Sequence, residues 1–220
     1  NMDINDLKKK ITKKTKVIIS VNLYGNMANY KELEKICKKE KIHLLEDAAE
    51  SLGSTYYNKK SGSFGSASVF SFHRTKTMTT GEGGILLLDN KKIFDRCRML
   101  RDHGRGPNTK DLFNEEFSFK YMPSNMQAAL GYSQFKKLPL LLKKKRKIFK
   151  NYKYYLKEVA EKIYLNEDTK IVKNGLWAII IVLKDYNSLT VNKIFNLLKK
   201  KKLLSPTIIL PNFLATCLYK

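Results

Sequence analysis

The chain has 220 residues, of which 43% are hydrophobic and 11% aromatic, which suffices for one large domain or two small ones around a sizeable core. That composition excludes a disordered chain, nothing at the start resembles a secretion signal, and no apolar run reaches the ~18 residues needed to cross a bilayer. The formal charge of +23 is carried mainly by lysine runs such as "LKKKITKKTK" and "LLKKKRKIFKNYK", with no RNA-recognition, zinc-finger or helix-turn-helix signature. It is therefore assigned to solvated helix faces, with a basic nucleic-acid-binding module as a remote alternative.

In chain order, "KVIISVNLYG" predicts a buried strand stopped by Gly25. "NYKELEKICKKEK" predicts a helix with Leu33, Ile36 and Cys37 on its apolar stripe, and "IHLLEDAAE" a second strand ending in carboxylates. Strand, helix and strand together make the parallel crossover of an α/β sheet. "ASVFSF" and "GGILLLD" predict two further strands, and "NKKIFDRCRMLRDHG" a helix from Asn90 to a C-cap at Gly104. After a polar loop, "PSNMQAALGYSQFKKL" predicts a helix capped by Ser124 or Asn125, followed by a long basic helix over residues 140–163. "LWAIIIVL" and "TVNKIFNLLKKKK" then predict a strand and a helix of a smaller α+β unit, placing a division near residue 140: 1–140 and 141–220. The three cysteines, Cys37, Cys97 and Cys217, match neither a metal nor a disulfide spacing, so no metal is expected and a reducing, cytoplasmic setting is.

One lysine does not belong to a run. Lys76 lies in "FSFHRTKTMTTGEGG", among hydroxyl residues and after a strand end. Ligands of open α/β sheets bind outside the carboxyl ends of the strands, and Asp47 follows "HLLE" at such an end. The two residues fit a structural ion pair. They also fit pyridoxal phosphate chemistry, which needs an amine for a Schiff base, a carboxylate facing the pyridinium nitrogen, and hydroxyl or N–H groups for the phosphate. Ser71 and the threonines from Thr75 to Thr80 are candidate phosphate ligands. Glu50 also fits a surface position at a helix start, Ser71 a small buried strand residue, and Lys120 ordinary surface charge. His73 is read as a satisfied polar residue, and "GEGG" as a turn using glycine backbone freedom.

The ordered set "VIISVNLYGN", "EDAAESLGSTYYNKKSGSFGSASVFSFHRTKTMTTGEGG", "LRDHGR" and "FKYMPSNMQAALGYSQF" resembles the DegT-type sugar-nucleotide aminotransferases, nearest to perosamine synthase-like members. The likeness is strongest from Val17 to Gln134 and thins after Asn174, where "NGLW" is still recognisable. It implies an α/β chain of fold-type I, an aspartate aminotransferase-like three-layer sandwich in which 1–140 is part of the large pyridoxal-phosphate domain and 141–220 a linking helix and small domain. By position it makes Lys76 the Schiff-base lysine and proton carrier, Asp47 the pyridinium partner, Glu50 a neighbour of the ring hydroxyl, and Ser71 a phosphate ligand. Lys120 would reach the phosphate of a neighbouring subunit, which implies a homodimer. The implied reaction moves an amino group, from glutamate, to a nucleotide-linked 4-keto-6-deoxy sugar for amino-sugar or polysaccharide biosynthesis, without nucleic acid or membrane. A dehydratase branch carries histidine at the lysine position, so Lys76 favours transamination.

The sequence departs from the family pattern at Ser66, where aspartate is frequent, and at Ser205, where a C-terminal arginine is expected; a hydroxyl cannot replace a guanidinium in anion binding. Family members also carry a long segment ahead of the position aligned with Asn1, with a ring-stacking aromatic and a phosphate-gripping turn. The chain is accordingly expected to be an N-terminally truncated piece, and an inactive relative with a scaffold role is the alternative.

Overall fold

The computed structural model describes residues 1–106, 113–184 and 188–201. Ser205 and Cys217 lie outside them. A short helix α1 (Ile4–Lys10) opens the chain, with the Asp3 carboxylate accepting the N–H groups of Asn5 and Asp6 at 2.7 and 2.9 Å. That cap satisfies two donors the helix leaves free. Strand β1 (Val17–Val21) runs into a 3-10 turn (Leu23–Gly25) and helix α2 (Tyr30–Glu40), which buries Tyr30, Leu33, Ile36 and Cys37 as the 3.6-residue period dictates. Strand β2 (His43–Asp47) follows.

Next come two two-residue strands, β3 (Thr55–Tyr56) and β4 (Lys59–Lys60), then β5 (Ala67–Ser71) and β6 (Gly84–Leu88). Helices α3 (Lys91–Leu100), α4 (Asn125–Lys136) and α5 (Leu138–Tyr155) lead to β7 (Ile163–Leu165), β8 (Val172–Lys173), β9 (Ile181–Leu183) and α6 (Ser188–Lys200). The main sheet has the order β1-β2-β5-β6, with the first three strands parallel and β6 antiparallel to β5. Its register sets Val21 beside Asp47 and Asp47 beside Val69, so the C-terminal ends of β1, β2 and β5 form one edge. One core cluster, including Ile18, Tyr30, Leu33, Leu44, Tyr56 and Phe64, fills the space between sheet and α2.

Several expectations change. The strand "KVIISV" is buried on one face only: Ile18 and Ser20 are inside, whereas Val17, Ile19 and Val21 are 43%, 57% and 42% exposed. The basic helix ends at Tyr155, not residue 163; a 3-10 segment (Lys157–Lys162) follows, and Ile163 joins β7 because it pairs with Leu183 of β9. That pairing is remote in sequence and leaves no helical-period trace. The strand expected over 176–183 keeps only β9, since Leu176 takes a left-handed backbone (φ 56°) that breaks extended geometry. Ser124 does cap α4, in a reciprocal capping box with Gln127.

Candidate active site

Three loops meet at the C-terminal sheet edge. The first follows β1, where Tyr24 sits in the left-handed region (φ 56°, ψ 30°), a costly conformation for a residue with a Cβ. It is held from both sides: its N–H donates to Glu50 Oε2 at 2.9 Å, and its carbonyl accepts from Asn166 Nδ2 at 3.1 Å. Gly25 next to it (φ +81°) admits the side chain of Asn174, which a Cβ would strike. The second loop follows β2 and carries Asp47, whose Oδ1 accepts the Ala49 N–H at 3.0 Å, and Glu50. The third joins β5 to β6 as a hairpin connection of residues 72–83 and carries Lys76.

The hairpin is tied internally. Phe72 N–H donates to Gly83 O at 2.8 Å, Thr80 N–H to Phe72 O at 2.9 Å, and Lys76 N–H to His73 O at 2.9 Å. Ser71 Oγ accepts the His73 N–H at 3.2 Å, and Gln134 of α4 accepts the Thr79 N–H at 3.0 Å. His73 itself faces Thr75 and Glu82, consistent with a satisfied polar side chain.

Within this frame the Lys76 amine reaches Glu50 Oε1 at 3.3 Å and lies 4.1 Å from the centre of the Trp177 ring. The lysine and glutamate side chains are only 14% and 17% exposed. Trp177 stacks parallel to Tyr24, with centroids 6.0 Å apart, and its indole N–H donates to Thr75 O at 2.9 Å. The structure thus brings together Lys76 and Glu50, with Asp47 and Ser71 on the adjoining strand ends. The ion pair expected for Asp47 as one alternative is made by Glu50. Lys120 is exposed, its backbone bridged to Asp102, on a segment with the exposed aromatics Phe117, Phe119 and Tyr121.

Sequence reasoning missed three contributors. Tyr24 and Trp177 stood in recognisable strings but carried no spacing that placed one ring on the other. Glu46 was seen as a strand-end carboxylate, yet it is 1% exposed and points inward. Its Oε1 accepts from Asn22 Nδ2 (2.8 Å), Ser61 Oγ (3.2 Å) and Gly62 N–H (2.9 Å), and Oε2 accepts from Phe64 N–H (3.0 Å). Burial pushes its carboxyl above the ordinary range, against the pull of those donors. Asn22 passes the network to the Tyr30 hydroxyl at 2.8 Å. Glu46 therefore locks the turn that follows β1 to the loop at residues 61–64, behind the C-terminal sheet edge.

The arrangement offers a shielded amine beside one carboxylate, a second carboxylate on the adjoining strand end, and hydroxyl and amide groups on a tight hairpin. Among the described residues no cluster of three or more metal-ligating side chains occurs, and no helix is long and apolar enough to cross a membrane. GDP-perosamine synthase of Escherichia coli O157:H7 is 32% identical over 181 residues, covering 82% of this chain and 49% of that protein. Among solved structures, PseC of Helicobacter pylori, an aminotransferase involved in the biosynthesis of pseudoaminic acid, superposes with a TM-score of 0.84 at 31% identity, over 91% of this chain and 54% of that one. E. coli GDP-4-keto-6-deoxy-D-mannose-3-dehydratase with bound hydrated PLP follows at 0.75 and 31%, over 89% and 55%. The chain spans about half the length of these relatives, and its fold is that of the fold-type I sugar aminotransferases. With the pattern of the DegT/DnrJ/EryC1/StrS aminotransferase family matching residues 1–212, the chain belongs to that family.

Proposed function

We propose that this chain carries the reactive lysine of a pyridoxal 5′-phosphate-dependent aminotransferase acting on a nucleotide-linked 4-keto-6-deoxy sugar, with glutamate as amino donor. The observation that carries the reading is the Lys76 amine, shielded from bulk water and held 3.3 Å from Glu50 at the C-terminal sheet edge. Family membership and the printed activities of the relatives support it. Lysine rather than histidine at position 76 favours amino transfer over dehydration.

The residues present fit the cofactor. One amine faces the edge, Asp47 offers a carboxylate that accepts the Ala49 N–H of its own turn, and Ser71 adds a hydroxyl beside hairpin amides. Lys76, Asp47, Glu50 and Ser71 would hold the cofactor here, with Lys120 contributed across a homodimer interface. When bound, the cofactor supplies an aldehyde that captures amines and a ring that takes up the electron pair left at a substrate carbon. Asp47 balances positive charge at the ring nitrogen. Glu50 orients the Lys76 amine, and Lys76 anchors the cofactor and carries a proton at Nζ between donor and acceptor carbons. We place residues 1–140 in the cofactor domain and 141–220 in the linking helix and small domain, in a cytoplasmic enzyme. Borohydride reduction of the cofactor-loaded full chain is expected to fix the label on Lys76. A label on another residue, or no label, refutes the assignment.

A further inference from the structure

Trp177 is pinned on three sides for a purpose that packing alone does not supply. Its indole N–H donates to the carbonyl of Thr75, the residue before the lysine, while its ring face receives the lysine's own ammonium at 4.1 Å. Its carbonyl accepts from Lys145 Nζ at 2.9 Å, an amine whose burial lowers its proton affinity. Its ring lies parallel to Tyr24, whose left-handed backbone is fixed by Glu50 and Asn166. Glu50 serves both partners at once, Oε1 toward Lys76 and Oε2 toward the Tyr24 N–H, so it cannot turn away from the amine without releasing the tyrosine. An aromatic face and a carboxylate thus converge on the same amine.

We propose that Trp177 is a positioning residue: its ring face and Glu50 together form the resting seat of the Lys76 ammonium whenever that amine is not covalently linked. This rests on the functional reading above, in which Lys76 alternates between linked and free states. In the free state the amine rests between the indole face and the Glu50 carboxylate, in one fixed place. The tryptophan acts through the lysine.

The test uses the full chain without cofactor and an arylating reagent, picrylsulfonic acid, which attacks only neutral amines; labelling is mapped by peptide mass spectrometry against exposed Lys150. Trp177→Phe keeps a ring face and should label Lys76 within about twofold of the unsubstituted chain, whereas Trp177→Leu should label it about fivefold faster, the size of one partly desolvated cation–π contact. Equal labelling of the Leu and Phe variants at Lys76 overturns the proposal, because only the Phe variant keeps a ring face over the amine. Trp177 is the only tryptophan in the sequence, so emission reports this ring directly. If Trp177→Leu does not fold, Lys76→Met decides: removing the ammonium should change the emission, and unchanged emission overturns the proposal. Since no cofactor is added, a failure here is separate from a failure of the borohydride mapping.

Discussion

Among the described lysines and arginines, Lys76 is set apart by what lies within reach of its amine, a carboxylate oxygen at 3.3 Å and an indole face at 4.1 Å. Lys76→Ala is expected to abolish amino transfer while leaving the far-ultraviolet circular dichroism unchanged, because the hairpin is tied by its backbone and not by that side chain. Glu46 behaves differently. Glu46→Ala leaves the buried Phe64 N–H and the part-buried Gly62 N–H without their acceptor, so urea unfolding should show a loss of about 3 kcal/mol. Its raised pKa also fixes a sign: the protonated carboxyl is favoured in the folded state. The contribution is full below the ordinary value of 4.5 and declines as pH rises through the higher folded value. The stability gap between the two proteins should therefore be widest in acid and narrow toward neutrality. Lys76 stood out in the sequence because it lies outside the lysine runs, whereas Glu50 was singled out only through the family resemblance of "EDAAE". The Trp177 contact was not legible, since it depends on the φ of 56° at Leu176 within an unbroken apolar string.

At the scale of elements, the sequence made the parallel unit of β1, α2 and β2 plain, because its periods are clean and its lengths ordinary. The two-residue strands β3, β4 and β8 are too short to leave any period: β3 and β4 pair as a tight hairpin through Tyr57 and Asn58, and β8 joins β3 from across the chain. The cap of α4 was readable from "SNMQ", and Ser124→Ala should lower the melting free energy by about 1 kcal/mol, measured by urea titration. Gly65 marks the tightest point before β5: its φ is +73° and a Cβ there would collide with the Leu44 carbonyl. Gly65→Ala should cost at least about 1–2 kcal/mol from the left-handed backbone alone.

At the scale of the molecule, apolar side chains stand in the open on several elements: Val17, Ile19 and Val21 on β1, Ile85, Leu86 and Leu87 on β6, and Met126, Leu130 and Phe135 on α4. Continuous faces of this kind bind apolar dyes. The isolated chain should enhance anilinonaphthalene sulfonate fluorescence, and Ile19→Lys should lower that signal without changing the melting midpoint. This face of β1 was not legible in "KVIISV", because the exposed Val17, Ile19 and Val21 are as apolar as a buried face and the buried Ser20 is polar. The strand β8 ties the two halves of the polypeptide together. Val172 and Lys173 complete a small sheet begun by Thr55 and Tyr56, and Gly175 N–H donates to Ser54 Oγ at 2.8 Å. A cut near residue 140 would part these partners and would take Val172 out of the core cluster it shares with Tyr56 and Phe64. Two separately expressed fragments should thus recognise each other, and fragment complementation would restore the indole over the amine only when both halves are mixed.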